Sequence, residues 1–150
     1  MIKFFLEESL KGLGKWLRFI GFQVIFCKGK ITDQEILKHK DCFFLITSPE
    51  TASKLEKAGV KFLLLPRENL KTQLKLCINR LNLTTDLQLN ICTLCGTELI
   101  PVNKEDFKDL IPEKVYRFYN EFNYCPLCQK LYWEGDHIKR LKEKFKKLIS

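Results

Sequence analysis

Two cysteine pairs, CTLC at residues 92–95 and CPLC at 125–128, carry the strongest chemical signal in the chain. Each CxxC bends the backbone so that both thiolates face one tetrahedral centre, and Cys92, Cys95, Cys125 and Cys128 together supply the four ligands of a Zn²⁺ ion. A closed four-cysteine shell has no open coordination position, so the expected zinc is structural. Its binding free energy, roughly 10–16 kcal/mol in small zinc modules, would be the main stabiliser of a segment too short to build a core. A redox role is disfavoured because neither pair opens a helix after a strand. His137 is an alternative ligand, although a histidine at a helix start is more often a cap or a packing residue. Cys27, Cys42 and Cys77 lie among apolar neighbours and read as buried small hydrophobes.

A second chemistry is suggested by acids at strand ends. IKFFLE ends on Glu7, with Glu8 following, and FFLIT is followed by Ser48, Pro49 and Glu50; Asp33 and Glu35 open a helix after QVIFC. In a parallel sheet the ends of the first and third strands lie side by side at the carboxyl edge. Glu7 or Glu8 would then converge there with Glu50, Asp33 and Glu35. Three or four such carboxylates bind Mg²⁺ or Mn²⁺, which activates water for phosphodiester hydrolysis. Each acid also has an ordinary explanation. Ser48 is a good N-cap, Pro49 suits the first helical position, and Glu50 in the first turn is favoured by the macrodipole.

The elements that would position these groups follow from hydrophobic patterning. Strands are expected at 2–7, 23–27, 43–47 and 61–65, apolar nearly throughout, as in a parallel sheet buried on both faces. Between them, Leu10, Leu13, Trp16, Leu17 and Ile20 fall on one helical face that ends at Gly21, Thr32 and Glu35 form a capping box, and Asn69 caps LKTQLKLCINRLNL. Residues 1–88 therefore read as one α/β domain. The pattern changes after Leu83, and residues 89–150 read as a zinc ribbon with a basic C-terminal helix.

The formal charge of +8 points to a polyanion partner, and half of it lies in DHIKRLKEKFKKLIS, where six Lys and Arg face two acids. Lys139 and Arg140 on that helix, and Lys11, Lys15 and Arg18 at helical spacing on the first one, are the candidate phosphate contacts; a solvated helix face is the competing reading. Tyr116, Tyr132 and Trp133 are either base-stacking platforms or core for the ribbon, the latter favoured for Trp133. No apolar run reaches the length of a membrane span, and MIKFFLEESLKG lacks the features of a signal peptide, so a cytoplasmic protein is expected.

LKGLGKWLRFIGFQVIF, the two zinc pairs and YWEGDH at 132–137 together resemble the Mut7-C family over essentially the whole chain. The resemblance implies a PIN-like ribonuclease domain followed by a zinc ribbon, a metal-dependent endonuclease activity, RNA as substrate and, by analogy with PIN-like domains, a homodimer. It places Glu7 where the family has an Asp, matches Asp33 to the acid opening the second helix, and aligns Arg18 with the family's Trp-Leu-Arg. Where the family reads Thr-Arg-Asp after the third strand, this chain has Thr47, Ser48 and Pro49, with Glu50 one residue late. Such a shift rotates a helical side chain by about 100°. Gln23 also replaces a common Asp. Two further functions are therefore kept in view: an RNA-binding protein with a degenerate catalytic site, and a zinc-ribbon module that docks onto other proteins.

Overall fold

The computed structural model describes residues 2–150. Four short apolar runs, β1 (Lys3–Leu6), β2 (Gln23–Phe26), β3 (Phe43–Ile46) and β4 (Phe62–Leu64), form an all-parallel sheet in the order β2-β1-β3-β4. The helices between them start and stop where local chemistry directs. The hydroxyl of Thr32 accepts from the Glu35 amide at the start of α2 (Asp33–Lys38). Ser48 does the same for Thr51 in α3 (Pro49–Ala58), and Asn69 for Thr72 in α4 (Leu70–Leu81). α1 (Lys11–Phe19) departs from this pattern. A 3₁₀ turn over Glu8–Leu10 leads into it, and the Ser9 hydroxyl is spent on Glu7 rather than on a cap.

Helices cover both faces of the sheet. Phe4, Leu6, Val24 and Leu45 point toward α1 and α4, while Phe5, Phe44 and Ile46 point toward α2 and α3, following the period-two alternation of a strand. The result is a three-layer α/β/α unit in which β1 and β3 are central and β2 is an edge.

Residues 83–90 are not a free linker. Leu87 and Leu89 pack on the main core, and the amide of Gln88 donates to the Phe19 carbonyl at the end of α1. The chain then forms a small antiparallel sheet, β5 (Ile100–Val102), β6 (Phe122–Cys125) and β7 (Lys130–Tyr132), with the short α5 (Glu113–Phe118) between β5 and β6. Trp133 contributes to its core beside Phe122, with ring centroids 5.9 Å apart.

The last helix, α6 (Asp136–Ile149), returns to the α/β unit. Its stripe of Leu141, Phe145, Leu148 and Ile149 joins the cluster built around α1 and α4, with Phe145 stacked on Trp16 at 5.5 Å. The sequence boundary near residue 88 grouped this helix with the ribbon; its apolar face is buried against the first unit. No helix among the described residues is long and apolar enough to cross a membrane.

Because Phe145 is 2% exposed and sits between two packed helices, Phe145→Ala is expected to cost about 3–5 kcal/mol in denaturant unfolding of the whole chain. A loss below 1 kcal/mol would mean that α6 is only loosely attached.

Candidate functional site

The two CxxC segments occupy equivalent turns. Gly96 donates its amide to the Cys92 carbonyl and Gln129 to that of Cys125, and each adopts the left-handed conformation, at φ 79° and 55°. The two turns face each other, and the four Sγ atoms lie within 4.8 Å of one another. Cys95 and Cys125 sulfurs are 3.5 Å apart and those of Cys92 and Cys128 3.9 Å. A tetrahedral centre with Zn–S bonds of about 2.3 Å spaces its sulfurs about 3.8 Å apart, so the cluster fits zinc. His137, exposed at the start of α6, is not part of the cluster.

Hydrogen bonds around the cluster favour thiolates, as an outer shell should. The Tyr132 hydroxyl lies 3.1 Å from Cys92 Sγ, that of Thr97 3.0 Å from Cys95 Sγ, and the Cys128 amide donates to Cys125 Sγ at 3.3 Å. Burial pushes the Cys92 and Cys95 thiols up, but the bonds from Tyr132 and Thr97 outweigh it; both end below the ordinary value, Cys95 at about 6. Cys128, hydrogen-bonded to Cys95, is pushed up to about 12. Cys77 is also raised to about 12, by burial in the main core, which leaves it an inert packing group.

Arg18 reaches this centre from α1. It is 6% exposed, it donates to the Val24 carbonyl at 2.7 Å and the Thr93 carbonyl at 3.1 Å, and its plane lies over the Phe26 ring. Burial lowers its pKa, and the nearby thiolates of Cys95, Cys92 and Cys128 raise it again. A zinc ion with four thiolates is doubly negative, so the guanidinium is its natural countercharge. Arg18 is thus turned inward and is not offered to phosphates. Gly96 permits the approach: a Cβ there would stand 2.9 Å from the guanidinium and 3.0 Å from the Val24 oxygen.

The second candidate site is the cleft at the carboxyl ends of β1, β3 and β4. Connections leave β1 and β3 toward opposite sides of the sheet, and ligands of open α/β sheets bind in such a crevice. Glu7 lies here. Its carboxylate accepts from the Thr47 amide, the Thr47 hydroxyl at 2.8 Å, and the Ser9 hydroxyl. A carboxylate offers about four lone-pair sites, so three donors orient Glu7 and leave capacity for a ligand. Ser9, Leu10, Thr47, Arg67, Glu68 and Gln73 complete the walls of the cleft. Gln73, itself buried, donates to the Pro66 carbonyl at 3.0 Å and so holds the Pro66–Asn69 loop in place.

None of the other strand-end acids is among the residues that line the cleft. Asp33 is exposed at the start of α2, Glu35 faces His39 at 3.5 Å, and Glu50 is exposed in the first turn of α3. Glu8 turns toward β2 and accepts from the Gly29 amide. Among the described residues, only the four cysteines bring three or more metal-ligating side chains together. Lys11 and Lys15 are exposed on α1, as are Lys139 and Arg140 on α6. Arg67 and Glu68 escaped the sequence reading. PRENL follows the fourth strand directly, and the strand-end logic applied to β1 and β3 would have found them.

The Mut7-C RNAse domain family model matches residues 2–145. No curated protein and no solved structure matches the chain.

Elemental analysis is expected to find one zinc per chain. Because the thiols must lose protons to bind, zinc affinity measured by chelator competition should fall as pH is lowered. Arg18→Met should remove two hydrogen bonds from a charged donor and cost roughly 3 kcal/mol or more in thermal or denaturant unfolding. It should also make zinc easier to extract. Unchanged stability and zinc retention would show that the guanidinium does not couple the two units.

Proposed function

The chain belongs to the Mut7-C RNAse domain family, and from that premise we propose that it is a metal-dependent ribonuclease, its PIN-like α/β unit cleaving RNA phosphodiester bonds in the cleft beside Glu7 and its zinc ribbon playing a structural part. The observation that carries this reading is the hold on Glu7: a carboxylate at the switch point of a parallel sheet, oriented by Thr47 and Ser9, with Arg67 and Glu68 across the cleft.

Mg²⁺ or Mn²⁺ fits this donor set, since Mg²⁺ is commonly held by one or two carboxylates plus substrate phosphates and keeps several waters. Glu7 and Glu68 would be the protein ligands. When bound, such an ion supplies an activated water and neutralises charge on the phosphate. Thr47 and Ser9 keep the Glu7 carboxylate from rotating away, and Arg67 provides a guanidinium whose fork matches a phosphate oxygen pair. Glu68 then occupies the role that Pro49 vacates in the α3 turn.

A second reading has its own observation. Ser48 and Pro49 commit the end of β3 to a helix cap, and Asp33, Glu35 and Glu50 are not among the residues lining the cleft. On that reading the chain binds RNA without cleaving it.

Zinc-loaded protein incubated with labelled RNA should cleave it in Mg²⁺ or Mn²⁺ and not without divalent metal. Glu7→Gln is expected to lower the rate by about two to four orders of magnitude. Glu68→Gln and Arg67→Met should also impair cleavage, whereas Glu50→Gln should leave it near wild type. Binding with no turnover in either metal would establish the second reading, and cleavage untouched by Glu7→Gln would remove Glu7 from the site.

A further inference from the structure

Along the flank of the α/β unit, a groove of about 610 Å³ runs between α1, the open side of β2 and the first zinc knuckle. Its basic wall is the α1 face carrying Lys11, Lys15 and Arg18, spaced by four and three residues. Arg18 disappears under the knuckle, while Lys11 and Lys15 remain exposed in front of it, and Lys28 joins them from the turn after β2. Glu8 is the one carboxylate on the walls; it accepts from the Gly29 amide at 3.0 Å and lies 3.8 Å from Lys11. Three exposed ammonium groups, one of them loosely paired with Glu8, against a single carboxylate leave the groove with an excess of positive charge suited to a polyanion.

The other walls are apolar. Phe26 lies on the floor, and Leu94, at the tip of the knuckle, is 64% exposed. Such a combination suits a strand whose bases are unstacked: phosphates meet the lysines and a base packs against the hydrophobic side chains. A volume of this size falls within the range of pockets that enclose small ligands, and it cannot enclose a duplex. Glu8 on its wall is the chain neighbour of Glu7, which lines the cleft, so the two sites flank the same turn after β1.

We propose that this groove binds a single-stranded segment of RNA, with Lys11, Lys15 and Lys28 neutralising phosphates and Leu94 and Phe26 packing on a base, and so delivers single-stranded substrate to the Glu7 cleft. The delivery step rests on the ribonuclease reading; the binding step does not.

The test is fluorescence anisotropy of the zinc-loaded full chain with a short labelled single-stranded RNA, without added divalent metal, over a salt series. The Lys11→Glu/Lys15→Glu/Lys28→Glu variant should bind at least about tenfold more weakly, with a log–log salt slope flatter by about 2, as expected for three lost phosphate contacts on a single strand. Leu94→Ala should weaken binding and leave the slope unchanged. Lys54→Glu/Lys57→Glu, which carries similar charge reversal on α3 across the sheet, should bind like wild type. Unchanged zinc content and circular dichroism establish that the variants fold.

Wild-type binding by the triple variant, absence of single-strand binding by the native chain, or equal affinity for a duplex would each overturn the proposal. If cleavage persists in any of those cases, the ribonuclease reading stands without the groove. Groove-dependent binding with no cleavage would instead retain the groove and reject the ribonuclease reading.

Discussion

A buried guanidinium needs acceptors and negative charge around it, and the way this chain meets that need at Arg18 ties its two halves together. The side chain leaves α1, caps the Val24 carbonyl on the unpaired side of β2, and reaches the Thr93 carbonyl inside the first CxxC turn. Edge strands expose unpaired backbone groups that invite other chains to pair with them. Here the knuckle and the arginine cover part of that edge. The thiolate charge that would suit the cysteine cluster to zinc also makes the arginine's burial tolerable. A zinc ion held by these four cysteines would therefore be coupled to the α/β unit through one side chain.

The cleft depends on a different constraint, the order of the strands. With β1 beside β3, the residue after one strand meets the residue after the other, and Glu7 finds both the amide and the hydroxyl of Thr47. Burial of Thr47 and the bond from Gln73 to Pro66 fix two walls of the cleft on packed elements rather than on mobile loops. On the ribonuclease reading, Glu7 would gain from such preorganisation, since positioning supplies much of phosphoryl-transfer catalysis. By contrast, the start of α3 obeys local helix energetics. Ser48 and Pro49 make a good cap there, and Glu50 is left in solvent.

Basic residues divide into three groups once their surroundings are known. Arg18 is buried against the knuckle, Lys11 and Lys15 remain exposed on the same helix face, and the lysines of α6 lie opposite the stripe that buries Phe145. Helical spacing gives all of them a similar appearance. What separates them is which neighbouring element covers the helix, a property of the packing alone.

Much of the architecture was legible without coordinates, for local reasons. Four apolar runs of the right length, N-caps at Thr32, Ser48 and Asn69, and a left-handed stop at Gly21 are encoded within a few residues of where they act. The cysteine pairs were equally plain, because CxxC spacing alone turns two thiolates toward one centre. Long-range pairings were not legible. That Arg67 and Glu68 would line a cleft with Glu7, and that α6 would pack on α1 and α4, depend on contacts between distant segments. The amino-acid pattern by itself determined the elements and the four-cysteine cluster, since backbone and capping energetics act over three or four residues. The tertiary structure decided which charges are buried, which acids share a cleft and which lysines stay free, because those outcomes belong to the way separate elements exclude water from one another.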